Sequence, residues 1–307
     1  MKYSLYKNIM IRFPVIGILI IGLAILTSCE KIVNIDLNTV NQKFVIQGNL
    51  YNLNDSIPSV LLSQTASFYS DSAIPMVTSG AVVFIKDSSL NTRSMTYSLQ
   101  QGKIPGYYFN TFFGKPGHTY YFTVVYQNQT YIASSYMPDT VPLDSLSSKI
   151  TLRQSLFGRS SDQRYTFSYY FKDPSGIQLH YYRTKSFITA TYQSNYIIDT
   201  VIHTNGTKVF SDENSQGLEI TGTFGNVDLK IKINGDSIPL TSVSVIFELL
   251  SCDKGVYDYY NTLKNAVSVN ALSGTTPANP ISNISNGALG YFAAYSVSVR
   301  SLNINLP

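Results

Sequence analysis

The sequence predicts an all-β protein, and three observations carry that prediction. Only 13% of residues are charged, another 13% are aromatic, and Trp is absent. Short runs rich in aromatic and β-branched residues recur along the chain, the composition that suits a pleated, half-buried surface. Clusters of turn-forming residues separate these runs at roughly 8 to 12 residue intervals, the spacing of a β-sandwich. The expected architecture is an N-terminal sandwich of immunoglobulin size over residues 43–138. A larger β-rich domain, sandwich or barrel-like and carrying one short helix, follows over 139–307.

The first segment is not part of that fold. Residues 1–28 contain Lys2, Lys7 and Arg12 with no acidic residue, and Val15–Leu26 run for 12 residues without a charge. This is the charged n-region and apolar h-region of a secretory signal. It falls short of the roughly 20 residues that a spanning helix needs. Leu26-Thr27-Ser28-Cys29 closes it, and a leucine three positions ahead of a cysteine, with small residues between, resembles the lipobox of bacterial lipoproteins. There the cysteine sulfur receives a diacylglycerol. Cys29 is the expected lipid-attachment residue, with 1–28 as signal peptide and 29–42 as lipidated tether. Two or more acyl chains anchor stably where one is marginal.

Strand candidates then follow in order: KFVIQGNL, PSVLLSQ, AVVFIKD, RSMTYSL, YYFNTF, HTYYFTVVY and QTYIASSYM. In the sixth, Lys115-Pro116-Gly117 turns the chain into a strand whose Tyr120, Phe122 and Val124 share one face. Strands of this Gly-x-x-Tyr type resemble those of prealbumin-like domains, and simple alternation explains them equally well. Met137 to Leu146 holds Pro138 and Pro142, which lack an N–H, so it reads as an extended connector. Beyond it come RYTFSYYFKD, IQLHYYRTKSFITATY, YIIDTVIH, DLKIKI, TSVSVIFELL and YFAAYSVSVRSLNI. Asp173-Pro174-Ser175-Gly176 joins the first two as a turn. The helix is expected from Asp253 to Ala266, capped by Asp253 and striped by Val256, Tyr260 and Leu263.

Charge and motif content narrow the function. The chain has 22 basic and 18 acidic residues, and without the three in the signal the basic count drops to 19. That near-neutral balance leaves no nucleic-acid footprint. Neither a Gly-x-Ser-x-Gly elbow nor a Gly-x-x-x-x-Gly-Lys loop occurs. His118, His180 and His203 are scattered without a second ligand at zinc-site spacing, so no metal and no cofactor are expected. Asp212-Glu213-Asn214 offers oxygens of the kind calcium takes but lacks the spacing, and it reads as a solvated turn. Cys252, inside VIFELLSCD, reads as a buried, inert thiol. The richest local pattern is NPISNISNGALGYFAAYS. Its amides and aromatics, Asn279, Asn283, Asn286, Tyr291, Phe292 and Tyr295, are the candidate binding residues, although Asn side chains also close local turns on their own backbone.

The lipobox, FVIQGNL, ASSYMPDTVPLDSL and above all NPISNISNGALGYFAAYS resemble the Bacteroidota outer-membrane lipoproteins grouped as DUF4249, a domain of unknown function. The resemblance implies a lipid-anchored outer-membrane protein, often encoded beside a TonB-dependent receptor, and supplies no catalytic residues. It leaves both faces of that membrane open. The expected function is a non-enzymatic accessory that docks on such a transporter or captures its substrate. An envelope structural or adhesive role is the alternative, and a hydrolase assembled from distant residues is the third.

Overall fold

Alternation of apolar and polar residues sets many of the strands in the computed structural model. It describes residues 42–53, 58–66, 75–89, 92–98, 106–108, 112–154, 161–195, 200–267 and 278–306. The signal segment, Cys29 and nearly all of the tether lie outside the described residues. The strands are β1 (Phe44–Tyr51), β2 (Ser59–Gln64), β3 (Ala81–Asp87), β4 (Thr92–Ser98), β5 (Gly106–Tyr108), β6 (Thr119–Tyr126) and β7 (Gln129–Tyr136). They continue as β8 (Ser145–Gln154), β9 (Ser161–Lys172), β10 (Tyr181–Tyr192), β11 (Thr200–Ser211), β12 (Glu219–Asp228), β13 (Lys230–Ile233) and β14 (Asp236–Cys252). One helix, α1 (Lys254–Val267), precedes β15 (Leu289–Asn305).

The protein is a β-sandwich type, and among the described residues no sheet closes into a barrel. One long sheet runs β11-β10-β14-β15-β1-β2-β5-β4-β3-β6-β7, with β13 paired to β14, and a second sheet runs β12-β9-β8. The long sheet folds back on itself in its first half. Phe44, Ile46 and Leu50 of β1 and Val60 and Leu62 of β2 bury against Val83 and Ile85 of β3 and Tyr120, Phe122 and Val124 of β6. In the other half, β12-β9-β8 covers β10, β14 and β15. Phe167, Tyr169 and Phe171 of β9 meet Tyr182, Ile188, Val245, Phe247 and Leu249 there.

β15 joins the two halves. Its first part pairs in parallel with β1, Val45 opposite Leu289 through Tyr51 opposite Tyr295, and its second part pairs antiparallel with β14. Parallel neighbours need a long crossover, and here nearly the whole chain is that crossover. Phe292 stacks on Phe122 with ring centroids 4.7 Å apart, tying β15 to the folded-back strands. The stretch from Met137 to Asp144 runs without regular structure along β15. Its Leu143 N–H donates to Ser298 Oγ at 2.8 Å, its Leu143 carbonyl accepts from Arg300 Nε at 2.9 Å, and its Pro138 carbonyl accepts from Ser296 Oγ.

α1 begins as its sequence requires. Asp253 Oδ1 accepts the Val256 N–H at 3.0 Å, which caps the first turn. Oδ2 accepts the Tyr136 N–H at 2.9 Å and so fixes the helix to the end of β7. Val256, Tyr259, Tyr260 and Leu263 then pack on Tyr291, Ala293 and Tyr295. Burial raises the pKa of the Asp253 carboxyl, while the N–H groups of Val256, Tyr136 and Gly255 and the Ser135 hydroxyl pull it down, leaving it above the ordinary aspartate value.

Candidate functional site

Three loops of the second half meet at a cleft of about 310 Å³. The end of β7 and the connector after it contribute Tyr136, Pro138 and Val141; the β9–β10 connection contributes Leu179 and His180; the start of α1 contributes Lys254. Behind the His180 wall lies a cluster of ionisable groups. Pro174 follows Asp173 directly after the end of β9 and donates no N–H, so the ladder stops and the chain crosses to β10. β11 ends at Ser211, and Asp212 opens a turn in which its carbonyl accepts the Ser215 N–H at 2.7 Å. Gly217 in that turn has φ +70°, a left-handed conformation that glycine adopts without strain.

The two segments are stitched to each other. His180 N–H donates to Asp212 Oδ1 at 2.9 Å, and His180 Nδ1 lies 2.9 Å from Asp212 Oδ2. Gly217 N–H donates to Asp173 Oδ2 at 2.9 Å, and Tyr182 OH donates to Asp173 Oδ1 at 2.5 Å. Burial first, and then the Asp173 carboxylate, push the Tyr182 phenol far above its ordinary pKa, so it stays a donor. One donor atom from each of Asp173, His180 and Asp212 lies within 4.8 Å of the others, the arrangement of groups able to hold a metal ion. Asp212 is therefore not the solvated turn residue that DEN implies: it is fully buried, while Glu213 and Asn214 are exposed.

The histidines also prove to be partnered. His118 Nδ1 lies 2.8 Å from Asp87 Oδ1, and His203 Nδ1 lies 3.1 Å from Thr189 Oγ1. Burial alone would raise the Asp87 pKa, but the Ser89 N–H and His118 outweigh it and hold the carboxyl below its ordinary 3.8. A depressed folded-state pKa contributes stability that is present above the unfolded value and is lost as pH falls through the folded one. Wild-type protein is expected to lose stability on acidification below about pH 4 more steeply than Asp87→Asn. Denaturant midpoints measured across that range check this, and equal slopes would count against it.

The C-terminal candidates separate by strand alternation. Asn283 Oδ1 accepts the Phe292 N–H at 2.9 Å and Nδ2 donates to the Phe292 carbonyl at 2.8 Å, so this carboxamide closes on backbone. Asn286 has φ +58° and donates through Nδ2 to Gln129 Oε1 at 3.0 Å. Asn279 is exposed. Phe292 is fully buried among the first-half core residues. Tyr291 and Tyr295 face the other way, under α1, where Tyr291 OH donates to Asn49 Oδ1 at 3.1 Å. Arg183 Nη1 donates to Tyr295 OH at 3.1 Å and its guanidinium sits 4.0 Å over the Tyr260 ring. Beside it, Lys185 lies 3.8 Å from Glu248 and donates to Tyr51 OH at 3.2 Å. Burial, then Arg183, lower the pKa of the Lys185 ammonium against the pull of Glu248. Cys252 is buried with its Sγ 3.6 Å from the Tyr181 carbonyl, and burial pushes the thiol pKa up.

A family model described as a domain of unknown function, DUF4249, matches residues 30–301. The chain belongs to the DUF4249 family. The match takes in both halves of the sandwich, α1 and the cleft, and begins at the residue after Cys29. A search of curated proteins found no relative that matches the chain.

Proposed function

We propose that this DUF4249 protein is a lipid-anchored, non-enzymatic binding protein of the bacterial outer membrane. It is tethered through Cys29, holds a small ligand in the cleft and acts as an accessory or substrate-capture partner of a TonB-dependent transporter. The cleft carries this reading. Its volume of about 310 Å³ falls in the range of small-molecule pockets, and its walls combine aromatic and apolar residues with polar ones such as Gln178, His180 and Lys254. The lipobox supports the tether, and among the described residues no helix is long and apolar enough to cross a membrane. Tethering raises the local concentration of a weak binder around its partner with no added contact.

Extraction in mild detergent should recover the protein with a transporter, and mass spectrometry of the processed N-terminus should show an acylated Cys29. Leu179→Glu, at a cleft residue that is 40% exposed, should leave folding intact and release the captured ligand. A protein that always elutes alone, with a free thiol at Cys29, would sink the proposal.

A second reading, a hydrolase, draws on the Asp212–His180 pair, since a carboxylate on one imidazole nitrogen orients the other as a base. It lacks the next group. Among the described residues no Ser, Thr or Cys side chain is hydrogen-bonded to His180, and the Cys252 thiol is raised rather than activated. Screening for hydrolysis with His180→Ala as the control tests it.

A further inference from the structure

We propose that Asp173, His180 and Asp212 bind one divalent first-row metal ion, of the zinc or manganese class, which locks the β9–β10 connection to the end of β11. The site lies behind the cleft wall, and His180 belongs to both.

Geometry is the first argument. His180 Nδ1 stands 2.9 Å from Asp212 Oδ2 and 3.7 Å from Asp173 Oδ1. These two separations match those of ligand atoms about 2.0 to 2.2 Å from a zinc ion, and one donor atom from each of the three residues lies within 4.8 Å of the others. Two carboxylate oxygens and one imidazole nitrogen form a mixed set suited to borderline ions. The supporting contacts have the form that orients metal ligands. Gly217 N–H holds the oxygen of Asp173 that faces away from His180, the His180 N–H holds the corresponding oxygen of Asp212, and the Tyr182 hydroxyl steers Asp173 Oδ1.

Charge is the second and independent argument. The side chains of Asp173 and Asp212 are both 0% exposed. Among the described residues the only basic group within 4.0 Å of either is His180, whose imidazole carries at most one positive charge against two negative ones. Buried charges are otherwise paired or bound to metal. A divalent ion with neutral His180 balances both carboxylates. The imidazole is 24% exposed and lines the cleft, which provides the way in.

The test uses the mature chain in detergent, stripped with a chelator and titrated with Zn²⁺ and Mn²⁺ by calorimetry, with thermal unfolding in parallel. Binding of about one equivalent and a raised unfolding temperature are expected. His180→Gln, at a partly exposed position, should abolish both. Tyr182→Phe, which keeps the ring and removes the hydroxyl, should weaken binding by about 10 to 100-fold. Asp212→Asn is the third variant, and the first two decide the matter where it does not fold. Three results would overturn the proposal: no binding of either ion at millimolar concentration, binding that survives His180→Gln, or an unfolding temperature indifferent to metal and chelator. Co-purification with a transporter bears only on the proposed function, so failure of one is distinguishable from failure of the other.

Discussion

Gly290→Ala should leave the chain unable to hold its final strand, with a loss of at least about 4 kcal/mol, in the range reserved for specific structural insults. A Cβ built on Gly290 would lie 1.8 Å from the Ile46 carbonyl oxygen and 2.7 Å from its carbonyl carbon, with no flexible side chain to give way. Gly290 also has φ +101°, outside the regions open to residues with a side chain. Ile46 is its partner in the parallel ladder, so the clash opens the junction between β1 and β15 on which both halves depend. Gly287→Ala is the comparison. Gly287 has φ +70° but nothing within 4 Å of the added carbon, so only the local strain of about 1 kcal/mol should appear. Denaturant unfolding of the two variants measures the difference, and similar midpoints for both would refute the account.

Phe292→Ala is expected to cost about 3 to 5 kcal/mol, the usual penalty for emptying a buried phenylalanine site. The ring is 0% exposed, stacks on Phe122 and covers Gly48, whose added Cβ would come within 2.9 Å of it. The sequence reading of Phe292 as a binding residue and its buried place in the structure predict different outcomes. A core residue lowers the denaturation midpoint at an unchanged slope; a ligand-binding residue loses binding while stability holds. Finding intact stability with lost binding would return Phe292 to the candidate site.

Much of the fold was legible because alternation is a local signal. β1, β3, β6, β10 and β15 contain runs whose apolar residues recur every second position, and α1 starts after Asp253 with the expected apolar stripe. Two strands of the second sheet escaped notice for physical reasons. β8 points Ile150 and Leu152 outward, 53% and 59% exposed, so its pattern does not report a core. β12 reads EITGTFGNVD, and glycines depress any strand reading. Those glycines have a packing reason: a Cβ at Gly222 would meet the Tyr169 hydroxyl at 2.5 Å, and one at Gly225 would meet Ile188 Cδ1 at 2.3 Å. The candidate site was less legible. Asp212 sits in a polar run that looks solvated, and its partner His180 lies 32 positions earlier. No spacing rule links them, because the link is made by the β10–β11 hairpin.

By itself the sequence determined the all-β class, the capped helix after Asp253 and the turn-rich approach to β15, since each follows from residues within a few positions of one another. Only the tertiary structure decided that β15 would lie parallel to β1 and that Asp173, His180 and Asp212 would meet. Both come from pairings between distant segments, whose register is set when two sheets close over a shared core, and such closure leaves no periodicity in the chain for a local reading to find.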